Sequence, residues 1–217
     1  MNDYQITCDR IDELAGSLPK GVSLLLATKT IPQEVLERLA QRYPFCFGEN
    51  RQQEMTDKWF GDPSRWHFIG RLQRNKVKYF VDKVCEIESV DSVELAEEIE
   101  LQCAKRDVTM TVLAEVNLGE VQKGGVEIER LPQLLDKIVQ MPHLKLDGLM
   151  VVLPKEAAQS KARQAKALFD LYQDKYYLRT LSMGMSEDYK VAIECGSTEI
   201  RIGSLVFGQR SYYGKNR

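Results

Sequence analysis

The chain has 217 residues, 43% hydrophobic and 29% charged, with a formal net charge of −2. That is enough for a packed core, and the near-neutral balance excludes the strongly basic face that a nucleic-acid surface needs. No apolar run approaches the ~18 residues of a membrane span, and the opening MNDYQITCDRIDELAG lacks the basic-then-apolar order of a secretory signal, so a cytoplasmic protein is expected.

A helix over Tyr4 to Ala15 precedes the first apolar run, LLLAT at 24–28. Pro32 opens the next helix, to Arg42, because proline suits a first helical turn; Val35, Leu36, Leu39 and Ala40 share one of its faces. FCFG (45–48) follows, then a short polar helix from Glu49 to Lys58, then WHFIG (66–70) and VCEIESV (84–90). Asp91-Ser92-Val93-Glu94 reads as a capping box. The helix it opens carries Leu95, Ile99 and Cys103 at i, i+4 and i+8. TVLAEVN (111–117) leads to a helix over Leu131–Val139, and LDGLMVV (146–152) to one over Ser160–Tyr172. TLSMGM (180–185), a short helix over 188–195 and EIRIGSLVFG (199–208) complete the order.

Each of these eight apolar runs is short enough for a strand buried on both faces, as parallel strands are. No linker rich in Gly, Ser or Pro interrupts them, so 1–217 reads as a single domain. Eight βα units in this length predict a closed (β/α)8 TIM barrel of parallel strands. An open doubly wound sheet fits the same alternation. The five cysteines (Cys8, Cys46, Cys85, Cys103, Cys195) show no CxxC spacing, and there are two histidines, His67 and His143. Ordinary reduced thiols and no metal site are expected.

In a parallel barrel the chemistry sits at the C-terminal ends of the strands. Those ends carry Lys29, then Gly48-Glu49-Asn50, then Gly70 with His67 inside its strand, and further on Asn117 and Met150. The last two strands end in SMGMS (182–186) and RIGS (201–204), each with Gly beside a hydroxyl residue. Taken singly, a lysine in a loop is a solvated side chain and a glycine turns the chain. Together on one face they suggest an anion cradle of backbone N–H groups, and the loops after strands seven and eight of such barrels are a frequent phosphate site. A lone lysine across the mouth suggests a phosphorylated carbonyl ligand, since a deprotonated lysine forms Schiff bases with aldehydes and ketones. Arg201 alternates with Ile200 and Ile202, which makes it the inward residue at its level of a closed barrel.

These residues fall in longer motifs. LLLATKT, FGENRQQE, WHFIGRLQRNK, DGLMVVLP, LSMGMSEDYKVAI and GSTEIRIGSLVFGQR resemble, over nearly the whole chain, the pyridoxal phosphate homeostasis proteins, relatives of the N-terminal barrel of alanine racemase. The resemblance implies a barrel holding pyridoxal 5′-phosphate (PLP) on Lys29, with Ser182, Met183, Arg201, Gly203 and Ser204 around the phosphate and ring, and Asn50 and His67 facing the mouth. It leaves open whether Arg201 meets the ring nitrogen or the phosphate. This sequence departs from the pattern at Thr28, Arg51, Gln52 and Arg71 and in a shorter VNLGEVQKGG loop, where Glu120 and Lys123 have no assigned role.

Three functions are compatible with such a site: a PLP carrier without turnover, a PLP-dependent amino-acid racemase, and a Schiff-base enzyme acting on a sugar phosphate. The motifs disfavour the last. Racemisation needs an acid/base on each face of the substrate carbon, and the racemase takes its second, a tyrosine, from an extra domain of a partner subunit, of which no counterpart is expected here. Tyr212 and Tyr213 are the available substitutes. The expectation is therefore a non-enzymatic, monomeric PLP-binding homeostasis protein, with apo PLP-dependent enzymes as partners and neither nucleic acid nor membrane among them.

Overall fold

A computed structural model of the protein describes residues 3–119 and 124–208. Strands β1 (Ser23–Ala27), β2 (Cys46–Glu49), β3 (Trp66–Phe68), β4 (Glu86–Val90) and β5 (Met110–Asn117) pair in parallel in chain order. A two-residue strand β6 (Val126–Glu127) hangs on the end of β5, and β7 (Leu144–Val151), β8 (Thr180–Met183) and β9 (Glu199–Ile202) continue the sheet. β9 pairs with β1, so eight strands close into a (β/α)8 barrel and the open-sheet alternative falls.

The helices wrap the outside: α1 (Asp3–Ser17), α2 (Gln33–Arg42), α3 (Gln52–Lys58), α4 (Val93–Ala104), α5 (Leu131–Ile138), α6 (Ala158–Tyr176), α7 (Tyr189–Glu194) and α8 (Ser204–Phe207). α5 buries Leu131, Leu134, Leu135 and Ile138, the i, i+3, i+4, i+7 set of one helical face. Each such side chain contributes roughly 1.5–3 kcal/mol on burial. The main core lies between strands and helices. Leu24 and Leu26 of β1 point into it, as do Trp66 and Phe68 of β3, with Trp66 tilted against Phe47 and Phe60. Leu25, Leu113 and Met150 are buried but stand apart from that core. Strand parity puts them inside the barrel, where much of the rest is polar.

Two local expectations change, and one connection had no reading. Ser92 makes no capping bond to the helix; its hydroxyl turns to the adjacent Asp91 carboxylate. The final apolar run is not one strand: β9 stops at Ile202 and the chain winds into α8, because side chains beyond the rim no longer have a barrel to pair with. Between β3 and β4 the connection is a 3-10 turn over Arg74–Tyr79, where no helix is legible in the sequence. No described helix is long and apolar enough to cross a membrane.

Candidate functional site

A cavity of about 590 Å³ opens at the C-terminal end of the barrel. Lys29, Thr30 and Ile31 line it after β1, Asn50 after β2, Val152 to Glu156 after β7, Met185 to Asp188 after β8, and Arg201, Gly203 and Ser204 at the end of β9. Lys29 is half-buried at its wall. Its neighbours are pinned from outside the barrel. Lys58 Nζ, buried on α3, donates to the Thr28 carbonyl (2.9 Å) and to Glu49 Oε1 (2.8 Å). Thr28 Oγ1 donates to the same Glu49 oxygen at 2.6 Å. Glu54 accepts from Lys58 and from the Thr30 N–H, both at 3.0 Å. Thr30 holds φ 68, a left-handed backbone that costs a β-branched residue energy. The clamp therefore ties both peptide neighbours of Lys29, and holds Thr30 in a conformation that the chain would not adopt by itself. Burial pushes the Glu49 carboxyl up from its ordinary value, against the pull of Lys58.

Glycine at 70 serves the same rim. A Cβ there would lie 2.1 Å from the Asn50 carbonyl, so only glycine lets the loop after β3 close on the loop that carries Asn50. Gly184 turns the chain after β8 at φ +99 and brings Ser186 over to the last loop. Ser186 Oγ accepts the N–H of Gly203 (3.3 Å) and the N–H of Leu205 (3.2 Å). Two backbone donors thus aim at one oxygen acceptor at the cavity edge.

Beneath the cavity a polar chain runs through the barrel. Arg201, 4% exposed, donates from Nη2 to the Val151 carbonyl (2.9 Å) and from Nη1 to Ser182 Oγ (2.7 Å). Ser182 Oγ donates onward to Glu88 Oε2 at 2.6 Å, and Glu88 Oε1 meets His67 Nδ1 at 3.0 Å. The register of β4 against β5 shifts between Ile87 and Val90, around Glu88, the kind of irregularity that re-aims a side chain. Burial opposes charge on the His67 ring, yet contacts with Cys46, Cys85 and Glu88 outweigh it and hold the imidazole well above its ordinary value.

Glu115 is a further interior carboxyl, 8% exposed. Burial, then the Asp91 carboxylate, push it up to about 7, against Arg201 and Arg71. A carboxyl whose folded value exceeds its ordinary 4.5 binds its proton more tightly in the fold. It therefore favours the fold at acid pH, and that advantage is lost as pH rises from the ordinary value through about 7. Glu115→Gln is expected to raise the unfolding free energy by about 2–3 kcal/mol at pH 8, with little change at pH 4. Urea unfolding of both proteins at the two pH values checks this; a gain of the same size at both would remove the titration as its cause.

Residues 63–211 match the alanine racemase N-terminal domain family. A pyridoxal phosphate homeostasis protein of Aquifex aeolicus is 42% identical over 218 residues, covering 96% of this chain and 94% of its own. The chain belongs to the pyridoxal phosphate homeostasis protein family. The namesake of Escherichia coli is 32% identical, covering 92% of this chain and 91% of its own. PipY of Synechococcus elongatus, also 32% identical, superposes with a TM-score of 0.85 in its structure without PLP and 0.82 in its structure with PLP bound, each covering 94% of this chain and all of PipY. Alanine racemase of Clostridium difficile, 15% identical, shares the barrel (TM-score 0.80) over 99% of this chain and 59% of its own.

Of the residues that the family motifs single out, Lys29, Asn50, Arg201, Gly203 and Ser204 meet in the mouth cavity. Three do not. Ser182 points into the barrel one level below, beneath Arg201. Met183, next on the strand, points outward into the helix-side core, as period-2 alternation requires. His67 is not at the mouth: β3 is three residues long, and His67 at its middle lines a cavity shared with the starts of β1 and β2, at the opposite end. The roles of Ser186 and of the Lys58–Glu49–Glu54 clamp are absent from the motif reading, although Glu49 and Glu54 stood in FGENRQQE. Ser186 stood in the quoted SMGMS, but nothing in a linear motif aims it at another loop. Glu120, Lys123, Tyr212 and Tyr213 lie outside the described residues.

Proposed function

We propose that this chain binds PLP at the barrel mouth as an imine of Lys29 and acts in PLP homeostasis as a carrier without turnover. The observation that carries the reading is that one cavity joins Lys29 to Gly203, Ser204 and Ser186, whose Oγ takes the Gly203 N–H there. The cavity's volume lies in the range of small-ligand sites, and its donor set suits a phosphate at one end and an aldehyde at the other. Bound PLP would supply that aldehyde. The residues themselves do the rest: the clamp orients Lys29, the last loops donate to the phosphate, and Arg201 presents a fixed positive charge. PipY, the relative with PLP bound, supports the same ligand here.

Turnover as a racemase needs a second acid/base facing Lys29. The described lining holds no tyrosine, histidine or cysteine; its acids are Glu156, Glu187, paired with Lys155 at 2.7 Å, and Asp188, which accepts the Met185 N–H at 2.6 Å. Borohydride reduction of the PLP-loaded protein followed by peptide mapping is expected to place the pyridoxyl group on the peptide with Lys29. An adduct on another lysine alone sinks the assignment. Lys29→Ala should stay folded, because a half-exposed lysine at a strand end adds little burial. Mixed with an apo PLP enzyme, the loaded protein should restore that enzyme's activity within hours. D-alanine accumulating from L-alanine would bring the racemase reading back.

Pyridoxal, which lacks the phosphate, should bind at least about tenfold more weakly than PLP, since several charge-assisted hydrogen bonds of ~1.5–3 kcal/mol each are lost. Equal affinities, read from absorbance titrations, would remove the case for the last two loops as an anion site.

A further inference from the structure

The end of the barrel away from the mouth holds a second cavity, of about 380 Å³. It opens where the chain enters β1, β2 and β9. Leu18, Val22, Leu24 and Phe45 line its apolar side, and Ser23, His67 and Glu199 its polar side. Its size and its mostly apolar wall with a few placed polar groups are those of a small-ligand site. Glu199 is 7% exposed. Its Oε2 accepts from Ser23 Oγ at 3.2 Å. Its Oε1 is buried without a hydrogen-bond partner, although Lys20 lines the same cavity. Two more carboxyls, Glu86 and Glu88, have donor atoms within 4.8 Å of His67 and of each other.

A buried carboxyl oxygen without a donor costs free energy that a positively charged donor recovers. Burial, then the Glu88 carboxylate, push Glu199 up to about 8, against the pull of His67. The wall narrows what the donor is. A bare divalent ion needs several free ligand atoms turned to one point. Glu88 is committed on both oxygens, to His67 Nδ1 at 3.0 Å and to Ser182 Oγ at 2.6 Å, and much of the wall that Glu199 shares is hydrocarbon. An ammonium on a hydrocarbon body suits both halves: its N–H groups donate to the carboxylate, and its carbon atoms displace water from the apolar side. Three carboxyls at the inner end repel an anionic ligand.

We propose that this cavity binds a small organic amine as its ammonium ion, with Glu199 as the counter-ion, Ser23 holding that carboxylate and the apolar wall taking the hydrocarbon body. The site is separate from the barrel mouth and does not rest on the PLP reading.

The test uses the full chain free of PLP, so that no imine chemistry enters, with benzylamine as the probe. Calorimetric titration at about pH 8.5 keeps the Glu199 carboxyl largely ionised. Benzylamine is expected to bind with one equivalent. Benzyl alcohol, which keeps the ring and loses the charge, should bind at least about tenfold more weakly. Glu199→Gln should lose at least about tenfold in benzylamine affinity and keep its PLP affinity within about twofold. The chain has two histidines, so imidazole NMR signals locate the probe in the unaltered protein. Those of His67 should shift, and those of His143, paired with Glu100 of α4 outside the barrel, should not. This second measurement decides the matter even if the variant folds poorly. Equal affinity for the alcohol and the amine, or a probe that leaves His67 unmoved, would overturn the proposal. So would one equivalent of zinc that excludes benzylamine, which would make His67, Glu86 and Glu88 a metal site instead.

Discussion

Lys58→Met is expected to destabilise the protein by about 3–5 kcal/mol, the cost of stranding one partner of a buried ion pair. Glu49 is fully buried, and its second oxygen already lacks a partner. Removing the ammonium leaves that carboxylate with one hydroxyl donor, Thr28 Oγ1, and frees the Thr28 carbonyl as well. For a chain of this size the loss corresponds to a fall in Tm of roughly 6–20 °C. The effect should reach the cofactor site, because Thr28 and Thr30 flank Lys29 and a relaxed Thr30 would turn the amine away from the cavity. Slower loading with PLP is expected at a temperature where the variant is still folded. The Glu49→Met/Lys58→Met double variant separates charge from packing: with both charges gone together, most of the stability should return. Thermal melts of the three proteins decide the point. A single variant within 1 kcal/mol of the parent would show that water, not Lys58, compensates Glu49.

Arg201→Gln should be damaging in two distinguishable ways. Arg201 Nη1 lies 4.0 Å from Glu88 Oε2 and serves Ser182 and the Val151 carbonyl. A glutamine cannot reach all of these or supply the charge, so a stability loss of about 3–5 kcal/mol is expected. PLP affinity should also fall at least about tenfold through loss of the charge at the cavity wall. Arg201→Lys tells the roles apart. It restores the charge without the planar fork, so it should recover more of the affinity than of the structural bonding. Calorimetric binding at a temperature where all three proteins are folded, beside urea unfolding, measures both. Parallel recovery of affinity and stability in the lysine variant would mean that Arg201 acts on the ligand only through the fold.

The barrel was legible because its signals are local. A run such as LLLAT can be a strand buried on both sides whatever surrounds it, and the eight runs recur with helix-length segments between most of them. Lys29, Gly203 and Ser204 were legible for the same reason, since a strand end is a position along the chain. Arg201 followed from alternation with its isoleucine neighbours. His67 shows the limit. The family motif put it at the mouth, but a motif does not say at what height in a staggered barrel a strand residue sits, and His67 lies toward the base.

What the sequence by itself determined, then, is the order of the elements, the closed parallel architecture once the family motifs are included, and the strand ends that meet in the mouth cavity. Tertiary structure alone decided who meets whom across the barrel. Ser186 reaches the amides of the next loop because Gly184 turns the chain. Lys58 reaches Glu49 and the Thr28 carbonyl from a helix whose sequence reads as merely polar. Cys46, His67, Glu86 and Glu199 converge from four strands or strand starts that are far apart in sequence. Periodicity encodes which way a side chain points, but closure of the sheet, with its stagger and its register shift between Ile87 and Val90, sets which side chains share a level. That geometry is a property of eight strands together and of no segment alone.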